Sequence, residues 1–253
     1  MNHTFAFHRR AAFGAVMLIA LLAGMAPRGV AAEGTADPRP NELSGAEKAE
    51  GWRLLFDGST SNGWRGFKLP GFPAQGWSVE EGWLKVHAHG HGGDLITVDQ
   101  FDDFDLRFEW RVTPGANSGV KYFITEDRPG KSGLGHEYQL IDDERHLDAL
   151  RGPKWQTAAL YDLFPAHDRP VRPAGEVNQS RILVHANHVE HWLNGVKVLE
   201  YELGSESLKQ AIAASKFKNV AGFGTKFKSH ILLQEHGDEV WFRNLKLREL
   251  PAP

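Results

Sequence analysis

The stretch FDLRFEWRV (104–112) alternates without a break: Phe104, Leu106, Phe108, Trp110 and Val112 on one face, Asp105, Arg107, Glu109 and Arg111 on the other. A period of two predicts a half-buried antiparallel strand with one wet face. VEHWLNGVKVLEYEL (189–203) places two β runs around Asn194-Gly195, a pair that favours a type I′ hairpin turn. HILLQEHGDEVWFRNLKLREL (230–250) reads as another hairpin, turning at Gly237-Asp238. Further strands are expected at 52–56, 76–87, 118–125, 136–142 and 179–187. One short helix is expected in SESLKQAIAASKF (205–217), with Ser205 or Ser207 as its N-cap. Many short strands, Gly/Pro/Asp turns and almost no helix predict an all-β fold, a two-sheet antiparallel jelly-roll sandwich.

The N-terminus has a different pattern. His8, Arg9 and Arg10 precede an apolar run from Ala11 to about Ala26, and Val30-Ala31-Ala32 offers small residues for cleavage. Residues 1–32 are therefore expected to be a cleaved signal peptide, 33–50 a polar linker and 51–250 a single domain. The expected location is periplasmic or secreted, with no membrane association after cleavage. The chain has no cysteine, so neither disulfides nor thiolate chemistry are available. Its formal charge of −3 becomes −6 once Arg9, Arg10 and Arg28 of the leader are removed. That acidity argues against nucleic acid as a partner, since phosphate binding rests on basic patches. All eight Trp lie in the domain, where they serve equally as sugar platforms or as core. Nothing in the pattern specifies an oligomeric state.

Two segments put polar chemistry on otherwise apolar strands. In GHEYQLIDD (135–143), Glu137 and Gln139 share a face with Ile141, opposite His136, Tyr138 and Leu140. In ILLQEHGDEVWFRN (231–244), Gln234 and His236 share a face with Leu232. Such a face either binds a polar ligand or is a solvated outer surface. HAHGHGGD (87–94) is a third candidate: in an extended chain His87, His89 and His91 would share a side, as metal ligands can. Its plainer reading is a strand end running into a loop.

The ordered series LFDGSTSNGW (55–64), GDLIT (93–97), FDDFDLRFEWRV (101–112), NSGVKYF (117–123), GHEYQLIDD (135–143), AALYDLF (158–164), GEVNQSRI (175–182), HWLNGVKV (191–198), SKFK (215–218) and ILLQEHGDEVWFRNLKL (231–247) resembles the 3-keto-disaccharide hydrolase family. The resemblance spans about residues 51–250. It implies a sandwich of the concanavalin A-like lectin/glucanase type with a concave sugar-binding face. It also implies a small sugar or glycoside substrate oxidised to a ketone at C3. The family's polar positions correspond here to Glu137, Gln139, Asp142, Tyr161, Asp162, Asn178, His191, Asn194, Gln234, His236, Arg243 and Asn244. Asn194 has a structural reading in its turn, Asn244 at a strand end, and Asp57 in LFDG as an Asx-turn residue. Tyr161 reads equally as core or as a sugar contact, and Arg243 as a ligand contact or as an ion-pair partner. The His87, His89 and His91 triple has no counterpart in the family pattern.

A C3 ketone acidifies the hydrogen on C2 and leaves the C1 aglycone β to the carbonyl. Elimination followed by addition of water then equals hydrolysis. The reaction needs a base at C2, a donor at the C3 oxygen and an acid at the leaving oxygen. Glu137 or His236 is expected to take the C2 proton, with the other, or Asp142, assisting the leaving group. Gln139, Gln234, Asn178 and Arg243 are expected on ring hydroxyls or the enolate, with Tyr161 and His191 as further substrate contacts. No cofactor is required, although a divalent metal cation held by His and carboxylates would suit the same enolate. The alternative is a non-catalytic carbohydrate-binding module, which the same fold and side chains would serve. A retaining glucanase fits less well: Glu137-x-Gln139-x-x-Asp142 lacks the second Glu of that pattern. An adhesion or scaffold role has no support in the sequence.

Overall fold

The computed structural model describes residues 39–251. The expected leader at 1–32 and the first part of the linker lie outside them. The described strands are β1 (Arg53–Leu54), β2 (Trp64–Gly66), β3 (Trp77–Glu80), β4 (Trp83–Val86), β5 (Leu95–Thr97), β6 (Phe104–Val112), β7 (Asn117–Tyr122), β8 (His136–Ile141), β9 (Asn178–His185), β10 (His188–Leu193), β11 (Val196–Glu202), β12 (Leu232–Leu233) and β13 (Val240–Glu249). One sheet of eight strands runs β11-β10-β9-β6-β13-β4-β3, with β1 paired to β13; the other, of five, runs β2-β5-β12-β7-β8. All the pairs are antiparallel, so the expected two-sheet sandwich is present.

The core lies between the sheets. β6 contributes Phe104, Leu106, Phe108 and Trp110, which meet Val120 and Tyr122 of β7 and Tyr138 and Leu140 of β8; all are at most 2 % exposed. Burying each such side chain contributes roughly 1.5–3 kcal/mol before entropy is counted. The alternation in 104–112 has the phase expected, but its polar face is not wet. Asp105 is fully buried because Arg181 grips it at 2.6 and 2.9 Å while Arg248 stands 3.5 Å away. Trp52 and Trp83 lie under Arg107 and Arg111 on the same surface.

The turn at Asn194-Gly195 is as expected, with φ of 47° and 84°, the left-handed pair a type I′ turn requires. The last predicted hairpin is not one. β12 belongs to the five-stranded sheet and β13 to the other, so 234–239 crosses from one sheet to the other instead of turning back. Local alternation cannot reveal this, because a sheet-switching strand and a hairpin strand have the same period.

Helix α2 (Glu206–Ala213) starts from Ser205, whose hydroxyl accepts the Leu208 N–H at 3.2 Å. It ends earlier than expected: Ser215 donates to Ile212 O at 2.8 Å and accepts the Phe217 N–H at 3.0 Å, which turns the chain out of the helix. Residues 39–50, expected as linker, are docked on the domain. A one-turn helix α1 (Gly45–Ala49) carries a Ser44/Glu47 capping box, and Glu47 pairs with Lys246. Asn41 donates to Gly82 O at 2.9 Å and accepts the Asn244 N–H at 2.7 Å, bracing a bulge in β13 where Asn244 has φ 51°.

Candidate active site

β7 and β8 pair with Lys121 opposite Glu137 and Gly119 opposite Gln139. Side chains directly opposite in an antiparallel pair share a face, so Asn117, Lys121, Glu137 and Gln139 all point away from the core. Gly119 leaves a gap in that row. A Cβ there would lie 2.5 Å from Glu137 Oε1, so the missing side chain is what lets the carboxylate lean across β7. Lys121 Nζ stands 3.5 Å from Glu137 Oε2. Amide orientations follow from the surrounding donors and acceptors. In that arrangement Gln139 and Gln234 donate to Glu137 Oε1 at 3.1 and 3.3 Å, and Lys121 donates to Gln234 at 3.0 Å.

Three loops wall this row into a small cleft lined by Asn117, Lys121, Glu137, Tyr161, Lys216, Phe217, Gln234 and His236, with Leu134 and Gly135 at one side. The crossing segment 234–239 brings Gln234 and His236; the Asp238 carboxylate fixes it by accepting the Asn117 N–H at 2.9 Å. Behind the floor, buried Asp94 accepts the Glu235 and Gly133 N–H groups, each at 3.1 Å. Burial raises its pKa against the pull of Lys121 and those two bonds. The loop after β8 returns along its edge, with Ala158 N donating to Gln139 O at 2.8 Å and Tyr161 N to Glu137 O at 3.0 Å. Tyr161 donates its hydroxyl to Asp148, and burial with that bond raises its pKa. Asp162, at φ 61°, accepts the Lys216 N–H at 2.8 Å and so ties the third loop to the second.

Of the residues singled out in the sequence, the cleft gathers Glu137, Tyr161, Gln234 and His236, with Gln139 buried beneath. The others stand elsewhere. Asp142 closes turns, accepting the Gly115 and Glu144 N–H groups at 2.7 and 3.0 Å and Arg145 at 3.2 Å. Burial opposes its ionisation, but these donors outweigh it and lower its pKa. Asn178 clips the loop before β9, with Arg172 N and Asn194 donating to its oxygen at 2.9 and 2.8 Å. Arg243 lies on the outer face of the eight-stranded sheet, donating to Glu109 at 2.8 Å over the Trp83 ring.

His191 is fully buried between the sheets. Its Nδ1 faces the Ala158 carbonyl at 2.9 Å, so it must donate there, and its Nε2 accepts Tyr122 OH at 2.8 Å. The chain continues through Tyr201 to His136 Nδ1, each hydroxyl donating one step toward His191. Burial lowers the pKa of His191 to about 4 and that of His136 to about 3, so both are neutral.

His87, His89 and His91 do not share a side. The strand ends at Val86, and His89 and His91 have φ of 55° and 52°, so the period of two no longer applies. His87 instead meets Ser78 at 2.8 Å. Donor atoms of His146, His236 and Asp238 lie within 4.8 Å of one another at the cleft mouth, a two-imidazole, one-carboxylate set that suits a divalent cation. In this arrangement His146 Nδ1 accepts the Asp148 N–H at 3.1 Å.

Lys121, Asn117, His146 and Lys216 also meet at this site. Lys121 and Asn117 sit in NSGVKYF, Lys216 in SKFK and His146 just past GHEYQLIDD. Only the strand register and the docking of the loops mark them as site residues.

A two-sheet sandwich with a polar cleft lined by Glu137, His236, Lys121 and Lys216 suits a carbohydrate-active class of protein. The comparisons agree. The family described as the 3-keto-alpha-glucoside-1,2-lyase-like domain matches residues 51–248. A 3-keto-disaccharide hydrolase of Bacteroides thetaiotaomicron is 36% identical over 232 residues, covering 80% of this chain and 79% of that protein. A crystal structure from Parabacteroides distasonis, described as a candidate glycosyl hydrolase, is 32% identical with a TM-score of 0.76, covering 84% of this chain and 100% of that one. A second from the same organism is 27% identical with a TM-score of 0.58, covering 79% and 99%. The chain belongs to the 3-keto-disaccharide hydrolase family.

Proposed function

We propose that this chain is an exported enzyme that cleaves 3-keto-glycosides, including 3-keto-disaccharides, by elimination and rehydration. The observation that carries this reading is the cleft's charge set: among the described residues lining it, Glu137 is the one carboxylate. Glycosidases that act on unoxidised sugars place two carboxyl groups across the scissile bond; the neighbouring carboxylates here are committed, Asp238 to the Asn117 N–H and Asp148 to Tyr161 and Arg151. A ketone removes that need.

Glu137 takes the C2 proton, and the C–H electron pair becomes the C2–C3 double bond of an enolate. As the ketone re-forms, the enolate's electron pair becomes the second bond of a C1–C2 double bond and the C1–O bond breaks, its electrons leaving with the aglycone oxygen, which takes a proton from His236. His236 is the imidazole that lines the cleft and is placed to exchange that proton. Water then adds its hydroxyl to C1 and a proton to C2. The Gln139 and Gln234 amides keep Glu137 aimed into the cleft. Where a divalent cation is used, His146, His236 and Asp238 would hold it, and the cation would supply Lewis-acid polarisation in place of the His236 proton.

The test is a 3-keto-glucoside with a chromophoric aglycone beside its unoxidised parent, run in D2O. The expected result is aglycone release from the keto sugar alone, with deuterium at C2 of the product. Tight sugar binding without release would make the chain a carbohydrate-binding module, and equal release from the parent would overturn the enolate route.

A further inference from the structure

Three lysines stand in or behind the cleft, and two of them are occupied. Lys121 faces Glu137 at 3.5 Å and donates to Gly133 O at 3.3 Å. Lys154 pairs with Asp162 at 2.9 Å. Lys216 differs: among the described residues its Nζ makes no hydrogen bond and has no carboxylate oxygen within 4.0 Å. Its backbone is nonetheless pinned, with its N–H held by Asp162 Oδ2 at 2.8 Å and the next residue's N–H held by Ser215. The ammonium lies 4.1 Å from the Tyr161 ring centroid and 5.1 Å from that of Phe217. Ring faces attract a cation without consuming its hydrogen-bond donors. A cation with free donors, carried on a pinned backbone, therefore lines the cleft.

Charge at the cleft adds to this. Glu137 is the lining carboxylate that Lys216 shares with Lys121, while Asp148 and Asp162 behind it are held by Arg151 and Lys154. A neutral sugar offers the Lys216 ammonium no charge; an enolate oxygen does. Burial at the ammonium end lowers the Lys216 pKa, with Glu137, Asp162 and Asp148 opposing and Lys121 assisting, although the side chain as a whole is exposed by area.

We propose that Lys216 is the oxyanion donor of this cleft: its ammonium receives the C3 oxygen of the oxidised sugar and bears the negative charge that forms there when Glu137 removes the C2 proton. The inference rests on the reading given under Proposed function and adds the group that distinguishes a ketone from an alcohol at C3. The ammonium keeps its proton throughout: the electron pair moves from the C2–H bond to the C3 oxygen, then returns to re-form the ketone as the C1–O bond breaks. A C3 hydroxyl has no such charge to offer, so the cation aids only the oxidised substrate.

The experiment compares wild type, Lys216→Met and Lys216→Arg, each as the mature chain, on the chromophoric 3-keto-glucoside. It reads kcat, KM, C2 exchange in D2O and the pH profile. Lys216→Met is expected to lower kcat and C2 exchange together by about 100- to 1,000-fold, as loss of one oxyanion donor does, with KM within a few-fold. Lys216→Arg is expected to recover at least about tenfold of the loss, since it restores a cationic donor. The wild-type rate is expected to fall on an alkaline limb set below the ordinary lysine pKa of 10.5, and that limb is expected to be absent in Lys216→Met. Wild-type kcat in Lys216→Met, a loss confined to KM, or an unchanged alkaline limb would each overturn the assignment. So would a covalent adduct at Lys216 after cyanoborohydride treatment with the keto sugar, which would show an iminium in place of a hydrogen-bonded ammonium. A wild type inert toward the keto sugar would remove the functional reading itself, whereas an active wild type with an equally active Lys216→Met removes only Lys216.

Discussion

The outer faces of the two sheets are both polar and both largely covered, yet they differ in what is left over. On the eight-stranded sheet nearly every charge has a partner: Asp105 with Arg181, Glu109 with Arg243, Glu47 with Lys246. Tryptophans 52, 83 and 241 fill the spaces between arginines. On the five-stranded sheet the pairing is incomplete: Lys121 and Gln234 steady Glu137, but among the described residues the Lys216 and His236 side chains, brought in by loops, make no hydrogen bond or ion pair. Paired charge contributes to stability and has no capacity left for chemistry. Unpaired charge beside a cleft is available to a substrate, in keeping with the tendency of strained electrostatics to mark functional sites.

The largest effect that sharpens this contrast is expected from Glu137→Gln. Loss of the C2 base should lower kcat on a 3-keto-glucoside by about 100- to 10,000-fold while thermal unfolding barely moves. A comparable loss of stability with retained activity would reverse the roles of the two faces. Asp105→Ala is the converse. Stranding Arg181 and Arg248 beside a buried void should cost about 3 kcal/mol, read by denaturant midpoint, with activity per folded molecule unchanged.

Between the faces, the neutral histidines should make the fold acid-sensitive. With folded values of about 3 and 4 against 6.5 unfolded, His136 and His191 bind fewer protons folded than unfolded as pH falls below about 6.5. Their contribution is therefore fully present above that pH and is lost toward pH 3–4, with a slope approaching about 1.4 kcal/mol per pH unit for each. His191→Phe should flatten that slope in a pH series of melting curves. If the slope is unchanged, the buried chain does not titrate as described.

Gly119→Ala probes the gap beneath Glu137. The added methyl would meet the carboxylate at 2.5 Å and swing it away, so kcat should fall about tenfold while the strand pairing persists. Arg243→Met gives the smallest effect. Its pair with Glu109 lies on the outer face of the eight-stranded sheet, and its loss should cost about 1 kcal/mol or less, with no change in KM. A raised KM would return Arg243 to the substrate.

Alternation of apolar and polar residues settled much of this protein from the chain alone. The phase of 104–112, the Asn194-Gly195 turn and the helix begun at Ser205 were all legible, because each depends on neighbours within a few residues. Glu137 and Gln139 were legible as a polar pair for the same reason. Tertiary structure decided the rest. His236 reached the cleft because 234–239 crosses between sheets, which a period of two cannot distinguish from a hairpin. Lys121 met Glu137 through a register set between two strands, and Lys216 arrived through a backbone bond to Asp162, some fifty residues distant. His191 and Asn178 carry the family pattern for structural reasons visible only in their partners. Local pattern determines which way a side chain faces; only packing determines what it faces, and whether its charge is already spoken for.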